Sequence, residues 1–334
     1  MKNKKLKDND YIFLSAMIRA REAKMLTDEK LEQALNAETA ADSAKIFEEC
    51  GFPDMSDMTD AEIDMALTAY RAGIFGELSE RPEAAVLTDL FRLKYDYHNV
   101  KVLAKARGEN LDGSTALSES GRIPSAKLIE AFISDEKSEL PAEKADAMEK
   151  SVEILAQTRN PQLSDFEVDG IYLRDLMAHA ESSGSEFAVK YASLIIDTVN
   201  LRSTVRALRM GKNAEFLGDA LVDGGTVSKE KLCSVSPDGA ELPQLFDGTL
   251  LKKAAELGAE VIVGGSMTRF ELYCDDAAAE YLSGAKYVTY GAEPVLNYLA
   301  AVENGITSVR MILTGKLYGI DSAVIRERMR RSYV

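Results

Sequence analysis

The sequence is poor in the residues that commonly supply catalytic chemistry. It contains no tryptophan and only two histidines among 334 residues, and aromatic residues account for 7%. The two histidines, His98 and His179, are far apart in the sequence, so it shows neither a histidine-rich zinc motif nor an adjacent acid–base pair. No GxSxG motif marks one serine as a nucleophile. We therefore expect no catalytic residue, no cofactor and no metal ion.

Cysteine is also scarce. The three cysteines, Cys50, Cys233 and Cys274, form no CxxC pair. An odd number spread over so long a chain excludes a disulfide framework and predicts reduced, buried thiols in a cytosolic protein.

Long apolar runs are missing as well. No stretch approaches the roughly 18 apolar residues of a membrane span. Asp8, Asn9 and Asp10 stand where a signal peptide requires its apolar core. We expect any association with a membrane to be peripheral.

Basic residues are outnumbered, with 40 Lys and Arg against 55 Asp and Glu and a net charge of −15. This charge repels phosphate backbones and argues against nucleic acid as the main partner. The distribution is uneven, because Met1–Lys7 contains four lysines and Ile306–Val334 contains six basic residues against Asp321 and Glu327. A basic or ring-shaped partner suits such a surface better than a nucleic acid does.

Proline is rare, at eight residues, while Ala, Leu, Glu, Lys, Arg and Met dominate, which predicts a nearly all-α protein. Two capping boxes, Thr59 with Glu62 and Ser164 with Glu167, predict helix starts. A helical run from Tyr11 to Leu35 opens the chain. The 46% apolar content is enough to bury sizeable cores.

No phosphate-binding loop is present. The two Gly-Lys pairs, Gly211–Lys212 and Gly315–Lys316, have Arg206 and Arg310 where the loop needs its first glycine. We interpret both pairs as helix ends, where a lysine interacts favourably with the last carbonyls. The chain is therefore not expected to bind nucleotide.

An acidic cluster, Asp275, Asp276 and Glu280, is the best alternative for an enzyme. Carboxylates four residues apart share a helix face and could hold magnesium in an all-α metal-dependent enzyme. A solvated helix start, where acids are favoured by the helix dipole, explains the cluster sufficiently.

An apolar stripe with steps of three and four residues occurs three times, and we call each copy a ladder. Such steps are typical of one face of an α-helix. Gly305 interrupts the third ladder and predicts a kink there. The ladders are Val86, Leu90, Leu93, Tyr97, Val100 and Ala104; Phe187, Tyr191, Leu194, Thr198, Leu201 and Val205; and Val295, Leu299, Val302, Ile306, Val309 and Leu313.

The neighbours of the ladders also repeat. A basic residue follows the fifth rung and a small polar residue precedes it, namely Lys101 and Asn99, Arg202 and Asn200, and Arg310 and Ser308. A second landmark precedes two of the ladders: Gly121, Ile123 and Leu128 recur as Gly225, Val227 and Leu232. We find no counterpart before the first ladder. Three helical units of about 100 residues fit either an open solenoid or a closed pseudo-threefold arrangement.

The third repeat resembles the C-terminal signature of the V-type ATPase component that is called C in archaeal and bacterial complexes and d in eukaryotic ones. The segments Tyr11–Leu35 and Asp89–Arg107 resemble that family more weakly, and Ser308 stands where it usually has Asn. The matching positions are Tyr290, Gly291, Glu293, Pro294, Val309, Arg310, Gly315, Lys316, Arg326, Arg328, Tyr333 and Val334.

The resemblance implies three similar helical domains around a pseudo-threefold axis, forming a funnel, over residues 1–115, 116–218 and 219–334. It implies a non-catalytic central-stalk subunit, a socket that couples the rotor shaft to the membrane proteolipid ring for ATP-linked proton or sodium transport. The implied partners are the shaft subunits and the ring, at the cytoplasmic face of the membrane. A helical-repeat adaptor unrelated to ATPases is the alternative.

Five basic residues are candidates for partner or interdomain contacts. The three beside the ladders either face a partner or pair with acids on neighbouring helices. The two C-terminal ones contact an acidic partner surface or lipid headgroups, or they are ordinary cations at a helix end. The five are Lys101, Arg202, Arg310, Arg326 and Arg328.

Overall fold

The structure is a computed structural model that describes residues 6–134 and 137–329, and within these ranges every regular element is helical. The predicted all-α fold class is confirmed. Lys2, Lys4, Lys5, Arg330, Arg331, Tyr333 and Val334, which the sequence analysis used, lie outside the described residues.

Sixteen α-helices occupy the described residues, with short 3₁₀ turns at Asp8–Tyr11, Ser114–Ala116 and Gly284–Tyr287. The α-helices are α1 (Ile12–Glu22), α2 (Asp28–Asn36), α3 (Ala40–Glu49), α4 (Asp60–Ser79), α5 (Pro82–Glu109), α6 (Ser125–Ser134), α7 (Ala142–Thr158), α8 (Pro161–Ser182), α9 (Glu186–Arg209), α10 (Ala214–Ala220), α11 (Lys229–Cys233), α12 (Leu242–Leu245), α13 (Lys252–Ile262), α14 (Met267–Ser283), α15 (Ala292–Leu317) and α16 (Ser322–Arg328).

One predicted capping box is present and the other is wrong. Thr59 caps α4, where Glu62 Oε2 accepts a hydrogen bond from the Thr59 amide at 2.8 Å. Ser164 instead lies inside α8, buried, with its Oγ 2.8 Å from that of Ser151. The helix already begins at Pro161, whose fixed φ suits the first turn.

The predicted run from Tyr11 to Leu35 is two helices, not one. Helix α1 ends at Glu22 and α2 begins at Asp28. Thr27 has an extended backbone and its Oγ1 accepts from the Lys30 amide, so it starts a new helix instead of continuing the first.

Two other expectations about local structure need correction. The acidic cluster around Asp275 lies in the interior of α14, not at a helix start. Cys233 is half-buried, while Cys50 and Cys274 are buried, and all three are free thiols. The Gly-Lys pairs do lie at helix ends, since Gly211 has a φ of +67° just after α9 and Lys316 lies in the last turn of α15.

The described residues form two compact units. Unit 1 comprises residues 6–88, 183–191 and 267–329, and unit 2 comprises residues 89–134, 137–182 and 192–266. Two of the four boundaries between the units fall within helices, at 88/89 in α5 and at 191/192 in α9. The three predicted domains, 1–115, 116–218 and 219–334, stay a prediction.

Helix α15 is the core of unit 1, where it packs against α1, α3 and α4. All six rungs of the third ladder are buried, and α15 runs from Ala292 to Leu317 through Gly305 without a break in its helical assignment. In unit 2 the first and second ladders are buried from Leu90 and Leu194 onward. The ladders therefore predicted the core-facing sides of the three longest helices.

None of the described helices combines the length and the apolar character that crossing a lipid bilayer requires.

Candidate interaction residues and a repeated polar clamp

The polar residue next to the first ladder clasps the segment that follows helix α5. Asn99 Nδ2 donates to the Ser118 carbonyl, and Asn99 Oδ1 accepts from the Ser118 amide, both at 2.8 Å. This pair of bonds satisfies both backbone groups of one residue, which fixes the segment on the helix.

One helical turn earlier, Asp96 completes the arrangement. Its Oδ1 accepts from the amides of Arg122 and Ile123 at 2.8 and 3.0 Å. Burial raises the pKa of Asp96, although these bonds oppose that shift. A Cβ on Gly121 would overlap Asp96 Oδ1, so glycine is required at this position. We call the Asp and Asn together the clamp.

The clamp recurs beside the second ladder. Asn200 bonds the Val222 carbonyl and amide at 2.7 and 3.0 Å, and Asp197 accepts from the amides of Thr226 and Val227 at 2.9 and 3.1 Å. A Cβ on Gly225 would overlap Asp197 Oδ1. The repeated glycines in the sequence are therefore the places where the chain crosses a buried carboxylate.

The third ladder lacks the clamp. On α15, Gly305 stands where the other two ladder helices have the clamp Asp, and Ser308 stands where they have the clamp Asn. Helix α15 packs here against residues 25–31, and a Cβ on Gly305 would lie 3.7 Å from Leu26 Cδ1.

Residues 25–31 are the landmark that sequence analysis missed before the first ladder. Leu26 and Leu31 correspond to Ile123 and Leu128 and to Val227 and Leu232, and all six are buried. This copy has no glycine, because no Asp faces it. The shared Lys-Leu ending of the three strings, MLTDEKL, RIPSAKL and TVSKEKL, is the signal that could have identified it.

The basic residues beside the ladders are engaged with other residues of the chain. Lys101 Nζ lies 2.7 Å from Asp169 Oδ1 on α8, and Arg310 pairs with Asp64 on α4. Arg202 on α9 is half-buried and is engaged with another residue of the chain. Lys101 and Arg310 thus have acidic partners within their own units.

The two C-terminal candidates differ from each other. Arg326 on α16 makes a two-bond pair with Glu32 on α2, at 3.0 and 2.8 Å, and this arginine lowers the pKa of Glu32. Arg328 is exposed and forms no ion pair with any residue of the described ranges.

A buried polar network in unit 2 was not predicted. Asp175 accepts hydrogen bonds from Tyr97 and Lys144 and faces His179 Nδ1 at 2.9 Å. Burial alone would raise the pKa of Asp175, but the bonds from His179 and Lys144 outweigh it, so its pKa lies below the ordinary range. The network joins α5, α7 and α8, and its composition is that of a structural ion pair.

Within the described residues no three His, Cys, Asp or Glu side chains converge as metal ligands. This holds for the cluster of Asp275, Asp276 and Glu280, which lies along α14.

A sequence model of the ATP synthase (C/AC39) subunit family matches residues 14–328. The chain belongs to the ATP synthase C/AC39 subunit family. This membership confirms the resemblance carried by the third repeat and excludes an adaptor unrelated to ATPases.

Curated relatives extend the match over whole chains. The C subunit of the V-type sodium ATPase of Enterococcus hirae is 24% identical over 330 residues, covering 97% of this chain and 99% of the relative. The C subunit of the A-type ATP synthase of Methanocaldococcus jannaschii is 23% identical over 342 residues, covering 95% and 85%. That of Thermococcus kodakarensis is 24% identical over 260 residues, covering 74% and 71%. As a C/AC39 member, the chain is an accessory subunit of a V/A-type rotary ATPase.

Proposed function

We propose that this chain is the non-catalytic central-stalk socket of its ATPase, which couples the rotor shaft to the membrane proteolipid ring. The observation that carries the proposal is the family match across residues 14–328. The coupled ion is sodium or a proton, and the Enterococcus hirae relative is named for a sodium ATPase. The chain acts at the cytoplasmic face of the membrane, held there by its partners.

A surface at the end of the chain supports docking onto a partner. Four apolar side chains are exposed where α15 turns into α16, and they are followed by Arg328, which has no ion pair among the described residues. Exposed apolar clusters beside arginine are typical of protein–protein interfaces. We call this surface the corner patch, and it consists of Leu317, Tyr318, Ile320 and Val324.

The clamps support the threefold division into domains 1–115, 116–218 and 219–334. Helix α5 holds the landmark segment around Gly121, and α9 holds the one around Gly225. Helix α15 packs on the landmark segment of residues 25–31. Three equivalent pairings in cyclic order are what three related domains predict.

Affinity capture of the tagged chain from native membranes tests the proposal. We expect shaft and proteolipid subunits to be recovered together with the chain. Tyr318→Ser combined with Ile320→Ser should reduce recovery at least tenfold, because apolar contacts supply most of the affinity at interfaces. Val263→Ser is the control, since Val263 is also an exposed apolar residue but lies far along the chain from the corner patch.

A coupling assay separates a socket from a passive bystander. Membranes that carry the corner-patch double variant should retain ATP hydrolysis by the soluble head but lose ATP-driven ion transport. Unchanged transport, with the variant shown to be present at its normal level, contradicts the socket role. Recovery of head subunits without any proteolipid contradicts the link to the ring.

A further inference from the structure

A pocket of about 310 Å³ opens in unit 1, on the face of α15 where the clamp is missing. Its volume is at the lower end of the range for small-molecule sites, which runs from about 300 to 1,000 Å³. Gly305 and Ser308, which stand at the positions of the clamp Asp and Asn, line the pocket. The pocket therefore occupies the place into which clamp side chains on α15 would project. The other lining residues that matter here are Leu26, Phe52, Tyr70 and Tyr298.

The wall of the pocket presents a hydroxyl that no residue of the described chain engages. Ser308 is only 2% exposed, and its Oγ makes no hydrogen bond with any residue of the described ranges. Because Ser308 lines the pocket, this hydroxyl can donate a hydrogen bond to a group that enters it. In the other two copies a carboxylate fills the corresponding space and accepts hydrogen bonds from backbone amides.

The mouth of the pocket carries an uncompensated positive charge. Arg21 and Lys24 both line it. Arg21 pairs with Glu77 at 2.6 Å, whereas Lys24 is exposed and forms no ion pair within the described chain. A single anionic group is therefore the charge complement of this mouth.

The remaining walls are apolar and aromatic. The rings of Phe52 and Tyr70 lie 4.8 Å apart, and Leu26 and Tyr298 are buried. Burial raises the pKa of Tyr70 to about 12, so its hydroxyl stays protonated at neutral pH and can donate. The volume of about 310 Å³ suits a small organic molecule and not a large cofactor.

We propose that this pocket binds a small carboxylate with a short apolar body, either a medium-chain or an aromatic acid. The carboxylate replaces the missing clamp, accepting from Ser308 Oγ and pairing with Lys24, while the apolar body contacts Phe52 and Tyr70. Gly305 leaves the room that an Asp occupies in the other copies.

Calorimetric titration of the full chain with octanoate, which has ten non-hydrogen atoms, tests the proposal. We expect saturable one-to-one binding that is at least tenfold tighter than binding of acetate, which lacks the chain, or of octan-1-ol, which lacks the charge. Equal affinity for octanoate and octan-1-ol would show an apolar void without a carboxylate site and would overturn the proposal. So would the absence of saturable octanoate binding.

Two variants probe the two halves of the site separately. Gly305→Asp restores the clamp carboxylate and should weaken octanoate binding at least tenfold. The glycine has space for it, since a Cβ would meet Phe52 Cζ at an ordinary 3.5 Å. Lys24→Glu should leave the fold intact, because Lys24 is exposed and has no ion pair in the part of the chain that the structure describes, and should weaken binding about fivefold. Lys231→Glu, another exposed lysine, is the matched control and should bind like the parent chain.

Cys50 supplies an independent readout of occupancy, because this buried thiol also lines the pocket. Octanoate should slow the alkylation of Cys50 by N-ethylmaleimide in a saturable way and leave the rate at the half-buried Cys233 unchanged. Equal slowing at both cysteines indicates a global effect, and unchanged alkylation of Cys50 places octanoate elsewhere; either result contradicts the site.

Discussion

Lys144 and Asp175 form an ion pair in which both side chains are almost completely buried, at 1% and 3% exposure. Tyr97 donates a hydrogen bond to the same carboxylate at 2.8 Å, and the Lys144 ammonium lies 4.8 Å from the Tyr97 ring centroid. Removing water from two charges is costly, so the pair is stable only because each charge compensates the other.

Asp175→Asn should lower the free energy of unfolding by about 3–5 kcal/mol, because it leaves the Lys144 charge buried without a counter-ion. Urea unfolding followed by circular dichroism measures this. Asp165→Asn is the control, since Asp165 pairs with Lys105 at the surface of the same unit and should cost less than about 1 kcal/mol. Equal effects of the two variants would contradict the assignment.

The stabilisation from Asp175 should depend on pH. Its pKa in the folded chain lies below the ordinary carboxyl value of about 3.9, so the folded state favours the charged form. The contribution is therefore fully present above about pH 4 and is lost as the pH falls through the folded-state pKa. The difference in unfolding free energy between the parent chain and Asp175→Asn should shrink on acidification below about pH 4. A difference that grows on acidification has the wrong sign.

Gly225→Ala should lower the free energy of unfolding by about 1–3 kcal/mol, because the new Cβ would overlap the carboxylate of Asp197, the acidic residue of the second clamp. Gly73→Ala provides the contrast. Gly73 lies within α4 with open space where its Cβ would be, so alanine should stabilise the helix by about 0.4–1 kcal/mol. Thermal unfolding of the two variants should shift in opposite directions.

Equivalent positions in the second and third ladders should respond differently to alanine. Asn200→Ala removes two hydrogen bonds to Val222 and leaves buried backbone groups unsatisfied, which costs about 1–3 kcal/mol. Ser308→Ala removes a hydroxyl that has no partner in the described chain, so its effect should be close to zero. A large loss from Ser308→Ala in the absence of ligand would mean that the hydroxyl is satisfied within the fold.

Much of this protein follows from the sequence alone. The ladders predicted the buried faces of α5, α9 and α15, since the 3.6-residue period of a helix forces apolar side chains at these steps onto one side. The third repeat identified the family that the comparisons confirm. Local signals were less reliable, because Ser164 and Asp275 carry helix-start patterns yet lie inside helices whose starts are set by other residues.

Only the tertiary structure decided what the repeated polar residues do. Asn99 and Asn200 appear in the sequence as neighbours of a stripe, but their partners, Ser118 and Val222, are fixed by how the following segment crosses the helix. The same holds for Gly305, which the sequence presents as a weak point in a helix and the structure places in the wall of a pocket. Periodicity records which side of a helix is buried, whereas the partner of a polar group depends on contacts between residues distant in the chain.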